Sequence, residues 1–325
     1  MKIGYPCINN SVPHTSPSTF RLVSYSENRL IQTIRDNLIH LNQILKYNVK
    51  NNLLFFRISS DLIPFASHPI CRFSWYKFFQ SEFKQIGDYI KKHSIRITMH
   101  PDQFVILNSP DNKIIENSIN ELKYHSQVLD TMGLDDTAKV QIHVGGVYGN
   151  KIEARDRFIK TYNNYSKLAD NDDSIKRRLV IENDDRLYSL KDCLQINQQT
   201  GIPIVFDSFH HECYSNEEQL LPQQIALQRA MSTWKSTKDG LPIVDYSSQD
   251  TRNKVDNKSN RKGKHAETID TSLFRKFLKE TEGLDFDVML EIKDKEKSAL
   301  KALGVVREHR SIVAPPTSPA VVEHD

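Results

Sequence analysis

Leu179-Val180-Ile181-Glu182-Asn183-Asp184 and Ile202-Pro203-Ile204-Val205-Phe206-Asp207-Ser208-Phe209-His210-His211 follow one plan, a short apolar run that closes on carboxylate or imidazole side chains. Runs of this length, rich in β-branched and aromatic residues and bounded by polar ones, read as buried strands. The plan recurs outward in both directions, at Lys2 to Tyr5, Leu53 to Arg57, Ile95 to His100, Lys139 to His143, Leu241 to Tyr246 and Phe286 to Glu291, which makes eight strands. The stretches between them are long enough for crossover helices, for example Ser24 to Tyr47, Ser74 to His93, Asn117 to Met132, Lys151 to Ala169 and Glu217 to Lys235. In the first of these Leu30, Ile34, Leu38, Leu41 and Leu45 recur every three or four residues, the spacing of one buried helical stripe. Eight such repeats predict the α/β class and a single (β/α)8 TIM barrel, with its site at the C-terminal face.

A chain of 325 residues, 38% hydrophobic and 26% charged, can bury one core of that size. The barrel is expected over residues 1 to 304, and the end, 305 to 325, with Pro315, Pro316 and Pro319, reads as a disordered tail. No apolar run approaches the roughly 18 residues of a membrane span, and Met1-Lys2-Ile3-Gly4-Tyr5-Pro6 lacks the apolar stretch of a signal peptide. The expectation is a soluble, cytoplasmic protein with no membrane partner. Cys7, Cys71, Cys193 and Cys213 stand far apart, against a disulfide framework or a zinc knuckle. A net charge of +3 demands no polyanionic partner by itself, but Thr251 to Lys264 gathers six Lys or Arg and reads as a loop after the seventh strand. A solvated loop and a phosphate-contacting loop, with Arg261 and Lys262 as candidate DNA contacts, both fit that composition.

In such a barrel the residues that end the strands build the site. Here those residues are His100, His143, Glu182, Asp207 with His210, Asp245 and Glu291; His265 is placed at the start of the helix after strand seven, and His68 in the loop after strand two. A lone His or Asp at a strand end is more often a satisfied polar group or a helix cap. So many on one rim point instead to divalent ions, with imidazole and carboxylate together suiting zinc or manganese better than magnesium. The number of candidate ligands exceeds what one ion takes and suggests two or three, as phosphoryl-transfer clusters use.

The chain resembles the ultraviolet-damage endonucleases, which share a metal-bearing barrel with the endonuclease IV type of abasic-site nuclease. The resemblance covers roughly residues 1 to 303 and rests on Ile3-Gly4-Tyr5-Pro6 with Asn9, Arg57-Ile58-Ser59-Ser60-Asp61-Leu62 and His68-Pro69. It continues through Met99-His100-Pro101-Asp102-Gln103, Ile142-His143-Val144-Gly145-Gly146, Ile181-Glu182-Asn183-Asp184, Asp207-Ser208-Phe209-His210-His211 and Leu290-Glu291-Ile292-Lys293.

What the resemblance implies is a cluster of about three ions, manganese by preference with zinc or magnesium as alternatives, held by His100, His143, Glu182, Asp207, His210, His265 and Glu291, joined by Asp245. Glu182, His143 and Glu291 would carry catalysis. Where this chain has Asp245 the family leads one to expect histidine, and where it has Ile243 a lysine that is sometimes carbamylated. The implied substrate is double-stranded DNA bearing ultraviolet photoproducts, cut by a monomer on the 5′ side of the lesion to leave 3′-hydroxyl and 5′-phosphate. Gln103 and Phe104 would probe the duplex, Tyr5 and Asn9 would touch the extruded bases, and His68 would line the site. Relatives often carry Tyr at the position of Phe104; the bland reading of Phe104 is a core aromatic. Competing readings are an abasic-site endonuclease of the endonuclease IV type, a metal-dependent sugar isomerase, and a damage-binding module without activity.

Overall fold

The computed structural model describes residues 1–13, 16–168, 173–214, 221–250 and 262–313. Strands β1 (Ile3–Pro6), β2 (Phe55–Ile58), β3 (Arg96–Met99), β4 (Lys139–His143), β5 (Leu179–Glu182), β6 (Ile204–Asp207), β7 (Ile243–Tyr246) and β8 (Asp287–Leu290) run parallel and pair in chain order, with β8 closing on β1. A long helix follows each: α1 (Glu27–Lys50), α2 (Gln80–Lys92), α3 (Asn112–Thr131), α4 (Lys151–Leu168), α5 (Leu190–Thr200), α6 (Gln223–Met231), α7 (Thr271–Glu280) and α8 (Glu296–Val313). The architecture is the expected (β/α)8 barrel.

Local chemistry sets the helix ends. The Ser26 side chain accepts from the Arg29 amide and starts α1 three residues later than its apolar spacing suggests. All five residues of the predicted stripe are buried. Asp111 caps α3 and moves its start upstream of Asn117. The segment from Ser74 splits at Phe79 into a short helix, Trp75–Phe78, and α2. Gly201, at φ 72°, ends α5 in the left-handed conformation that side chains resist.

Two expectations need correction. His265 does not open a helix: it pairs with Gln249 in an isolated antiparallel bridge, and α7 starts at Thr271 because Asp270 caps it. The ordered chain also passes residue 304, because Ala299, Ala302, Leu303 and Val306 continue a helical stripe against the barrel and α8 runs on to Val313. The prolines lie beyond that stop, so they do not place an end at 304; residues 314–325 lie outside the described residues. Of the basic stretch, residues 251–261, including Arg261, also lie outside them, and Lys262 is exposed. No described helix is long and apolar enough to cross a membrane.

The barrel interior is layered, because alternate residues of a strand face the same side. Phe55, Val180, Val205, Ile243 and Met289 form an apolar layer capped by Trp234. Two residues further along the same strands stand Arg57, Glu182, Asp207, Asp245 and Glu291. Five strands thus switch together from apolar to ionisable residues at the C-terminal mouth.

Candidate metal centre

The ionised layer gathers most of the predicted ligands. His100 Nε2 lies 3.3 Å and His143 Nε2 3.9 Å from Glu182 Oε2, while His210 Nδ1 lies 3.1 Å from Glu182 Oε1 and 3.3 Å from Asp207 Oδ2. Among the described residues three groups have ligand atoms within 4.8 Å of one another: His100, His143 and Glu182; Glu182, Asp207 and His210; and Asp207, Asp245 and Glu291. Glu182 joins the first group to the second, and Asp207 the second to the third. His265 stands at the edge of the third, its Nδ1 2.8 Å from the Glu291 carbonyl oxygen and its ring 5.8 Å from that of His210, but it belongs to none of the groups.

The donor set fits divalent cations. His143 Nδ1, Glu182 Oε1, Asp207 Oδ2 and Asp245 Oδ1 are buried and make no hydrogen bond among the described residues, although Glu182 Oε1 and Asp207 Oδ2 keep their ion-pair contacts with His210. Such atoms are costly to bury unless something compensates them, and a cation would. Without one, protons take its place. Burial pushes the Asp245 carboxyl up to about 7 against the pull of Arg57, and burial likewise holds Asp207 well above the usual carboxylate range. Burial would lower His210, but Asp207 and Glu182 outweigh it and raise the imidazole to about 12.

Two residues of the layer were not picked out from the sequence. The buried Arg57 guanidinium reaches Asp245 Oδ2 at 2.7 Å and forms an ion pair with Glu291. Gln141 Nε2 donates to Glu182 Oε2 at 2.5 Å and to Asp245 Oδ2 at 2.6 Å, and its own Oε1 accepts from Arg57 at 3.1 Å. Burial would raise the Glu291 carboxyl, but Arg57 outweighs it and holds it down at about 2. Together Arg57 and Gln141 hold one oxygen of Asp245 and leave the other without a hydrogen-bond partner. The signal was in the pattern: each is a polar residue inside a buried strand, in phase with the ligands.

The expected DNA contacts divide. Val105 N donates to Asp102 O at 2.9 Å, closing a tight turn whose two tip residues are Gln103 and Phe104. Both are exposed, Phe104 at 76%, so it is no core aromatic. His68 is exposed at the edge of Phe65 and outside the three groups. Tyr5 and Asn9 require correction as base contacts. Tyr5 is 0% and Asn9 3% exposed, and the Tyr5 hydroxyl, which accepts from Asn9 Nδ2 at 2.8 Å, donates to Asn48 Oδ1 at 2.5 Å. The phase of β1 turns Tyr5 outward onto α1, away from the mouth. Ile243 lies in the apolar layer, so no lysine amine is available there for carbamylation.

The model of the family described as UV-endonuclease UvdE matches residues 1–324. A UV DNA damage endonuclease of Clostridium perfringens (strain 13 / Type A) is 37% identical over 308 residues, 95% of this chain and 71% of that protein. The crystal structure of SacUVDE matches with a TM-score of 0.85 at 42% identity, over 95% of this chain and 99% of that one. Endonuclease IV from Thermus thermophilus matches with a TM-score of 0.53 over 95% of this chain and all of that one, but at 14% identity, which is a likeness of fold alone.

Proposed function

The chain belongs to the UV-endonuclease UvdE family, and from that premise we propose that it is a metal-dependent DNA endonuclease that hydrolyses the phosphodiester on the 5′ side of pyrimidine photoproducts. The products are a 3′-hydroxyl and a 5′-phosphate. The observation that carries this reading is the convergence of three linked His and carboxylate groups, with buried oxygens lacking hydrogen bonds, at one mouth of the barrel.

His100, His143 and Glu182 would hold one divalent ion, Glu182, Asp207 and His210 a second, and Asp207, Asp245 and Glu291 a third, with His265 beside Glu291. Manganese suits this mixed nitrogen and oxygen set. Divalent ions supply the charge that polarises a phosphoryl group and acidifies water. The protein's share is placement. Glu182 and Asp207 fix the spacing between neighbouring groups, and Arg57 with Gln141 hold the carboxylates in orientation.

Selection of damage follows from the cost of opening the duplex. A photoproduct weakens stacking and pairing, so extruding it costs less than extruding an intact pair. Gln103 and Phe104, exposed at the tip of their turn, would fill the gap. Phe104→Ala is expected to weaken binding to an irradiated duplex about tenfold, the scale of one lost aromatic stack, while changing affinity for undamaged duplex far less. Fluorescence anisotropy on the two duplexes checks this, and equal losses on both would count against a wedge.

The direct test of the function is incubation of the purified protein and manganese with an irradiated, end-labelled duplex and with one bearing an abasic site. Incision 5′ to the photoproduct, at a higher rate than at the abasic site, is the expected result. Cutting only at the abasic site would move the chain to the endonuclease IV type of activity.

A further inference from the structure

Phe104 is not alone on its rim. Asn150 N donates to Val147 O at 2.9 Å, closing a second tight turn, on the loop after β4, with Tyr148 and Gly149 at its tip. Both have positive φ, 48° and 80°, the left-handed pairing that Asn and Gly adopt readily and an aromatic residue does not. An unfavourable backbone at a bulky side chain points to a role for that side chain. Tyr148 is 45% exposed, large and apolar, on the loop that follows His143.

Its ring is held from behind. The Arg157 guanidinium lies over it at 5.4 Å, and Arg157 Nε donates to the Asn108 carbonyl at 2.9 Å, in the same loop as Phe104. Asn108 Nδ2 in turn donates to the Gly146 carbonyl at 2.7 Å. A Cβ on Gly146 would stand 3.0 Å from the Tyr148 ring, so glycine is what lets the ring seat there. Arg157 and Asn108 therefore tie the turn carrying Tyr148 to the loop carrying Phe104, and both aromatics stand on one braced rim.

We propose that Tyr148 is a second stacking contact for damaged DNA, receiving a nucleotide that loses its neighbour when the photoproduct is extruded beside Phe104. The inference rests on the endonuclease reading above and deepens it. Stacking on an aromatic face tolerates any base, as a lesion-directed rather than sequence-directed enzyme requires, and a cation behind the ring strengthens the platform. The contact forms on binding and persists through the reaction, so it acts on KM more than on kcat.

Tyr148→Asn tests it, because Asn accepts the left-handed backbone and removes only the ring. On an irradiated duplex KM is expected to rise about tenfold with kcat within about twofold of the parent, unchanged metal content and unchanged dependence of kcat/KM on salt. Tyr148→Phe should restore the parent KM. An unchanged KM, a fall in kcat alone, or a flattened salt dependence in Tyr148→Asn would overturn the stacking role. Failure of the parent protein to cut irradiated duplex at all would instead sink the function proposed above, so the two failures are distinguishable.

Discussion

Glu182→Gln is expected to lower the rate of cutting irradiated duplex on the order of 10²- to 10³-fold, the scale seen when a preorganised electrostatic partner is removed from a reacting centre. Glu182 is 1% exposed and is the one side chain shared by the first two ligand groups. Its Oε2 faces His100, His143 and Gln141, and its Oε1 faces His210. Glutamine keeps the shape but loses the charge. If its amide oxygen accepts from Gln141, its NH2 is turned towards His210, where a ligand oxygen stood. One atom exchange would thus impair both of the proposed ion positions that share Glu182. The turn carrying Phe104 is untouched, so affinity for irradiated duplex should stay within several-fold of the parent. Single-turnover cutting, with bound metal measured on the same sample, decides the matter. A variant that cuts within tenfold of the parent rate would remove Glu182 from the centre.

The barrel was legible because its strands are short apolar runs closing on the site: all eight appear within two residues of their expected bounds. Most members of the three His and carboxylate groups were legible for the same reason, since the strand ends of a barrel converge on one mouth. Gln141 was harder to see because it lies within its strand, where a polar residue looks like an interruption, and Arg57, which closes the expected second strand, was passed over because a guanidinium does not bind cations. Only the phase shared with Asp245 and Glu182 reveals that they face the mouth. Tyr5 went wrong by the same logic in reverse. The resemblance implied a contact with the extruded bases, but Tyr5 is out of phase with the inward positions and packs on Asn48 of α1. His265 was placed at a helix start because the cap, Asp270, lies five residues on and its local signal is a single carboxylate. Tyr148 could not be singled out from its loop, since an aromatic in a Gly-rich turn gives no sign of the φ it will adopt.

Removing the divalent ions with a chelator is expected to abolish cutting and to leave a folded protein that grows less stable as pH rises above about 6.5. In the metal-free centre Asp245 titrates near 7, whereas an unfolded aspartate titrates near 3.9. Between those values the folded chain holds a proton that the unfolded chain releases, so this contribution is full below about 4 and is lost as pH climbs through 7. For Asp245 alone that amounts to at most about 4 kcal/mol. His210, raised to about 12, extends the same sign upward from about 6.5, because the folded chain keeps the imidazolium that the unfolded chain gives up. Glu291, held down at about 2, has the opposite sign but acts only below about 4.3, whereas burial lowers His125 to about 4 and lowers His143, and both oppose the trend below about 6.5, so the decline is expected above that pH. Bound ions need deprotonated carboxylates and neutral imidazoles, so they displace these protons and their affinity rises with pH. The gain in melting temperature from saturating manganese should therefore widen between pH 5 and pH 8, by on the order of 5–10 °C. Thermal melts across that range, with chelator and with manganese, read it directly. Parallel curves would mean that ions and protons do not compete for the same oxygens, and a multi-ion centre at the barrel mouth would lose its electrostatic basis.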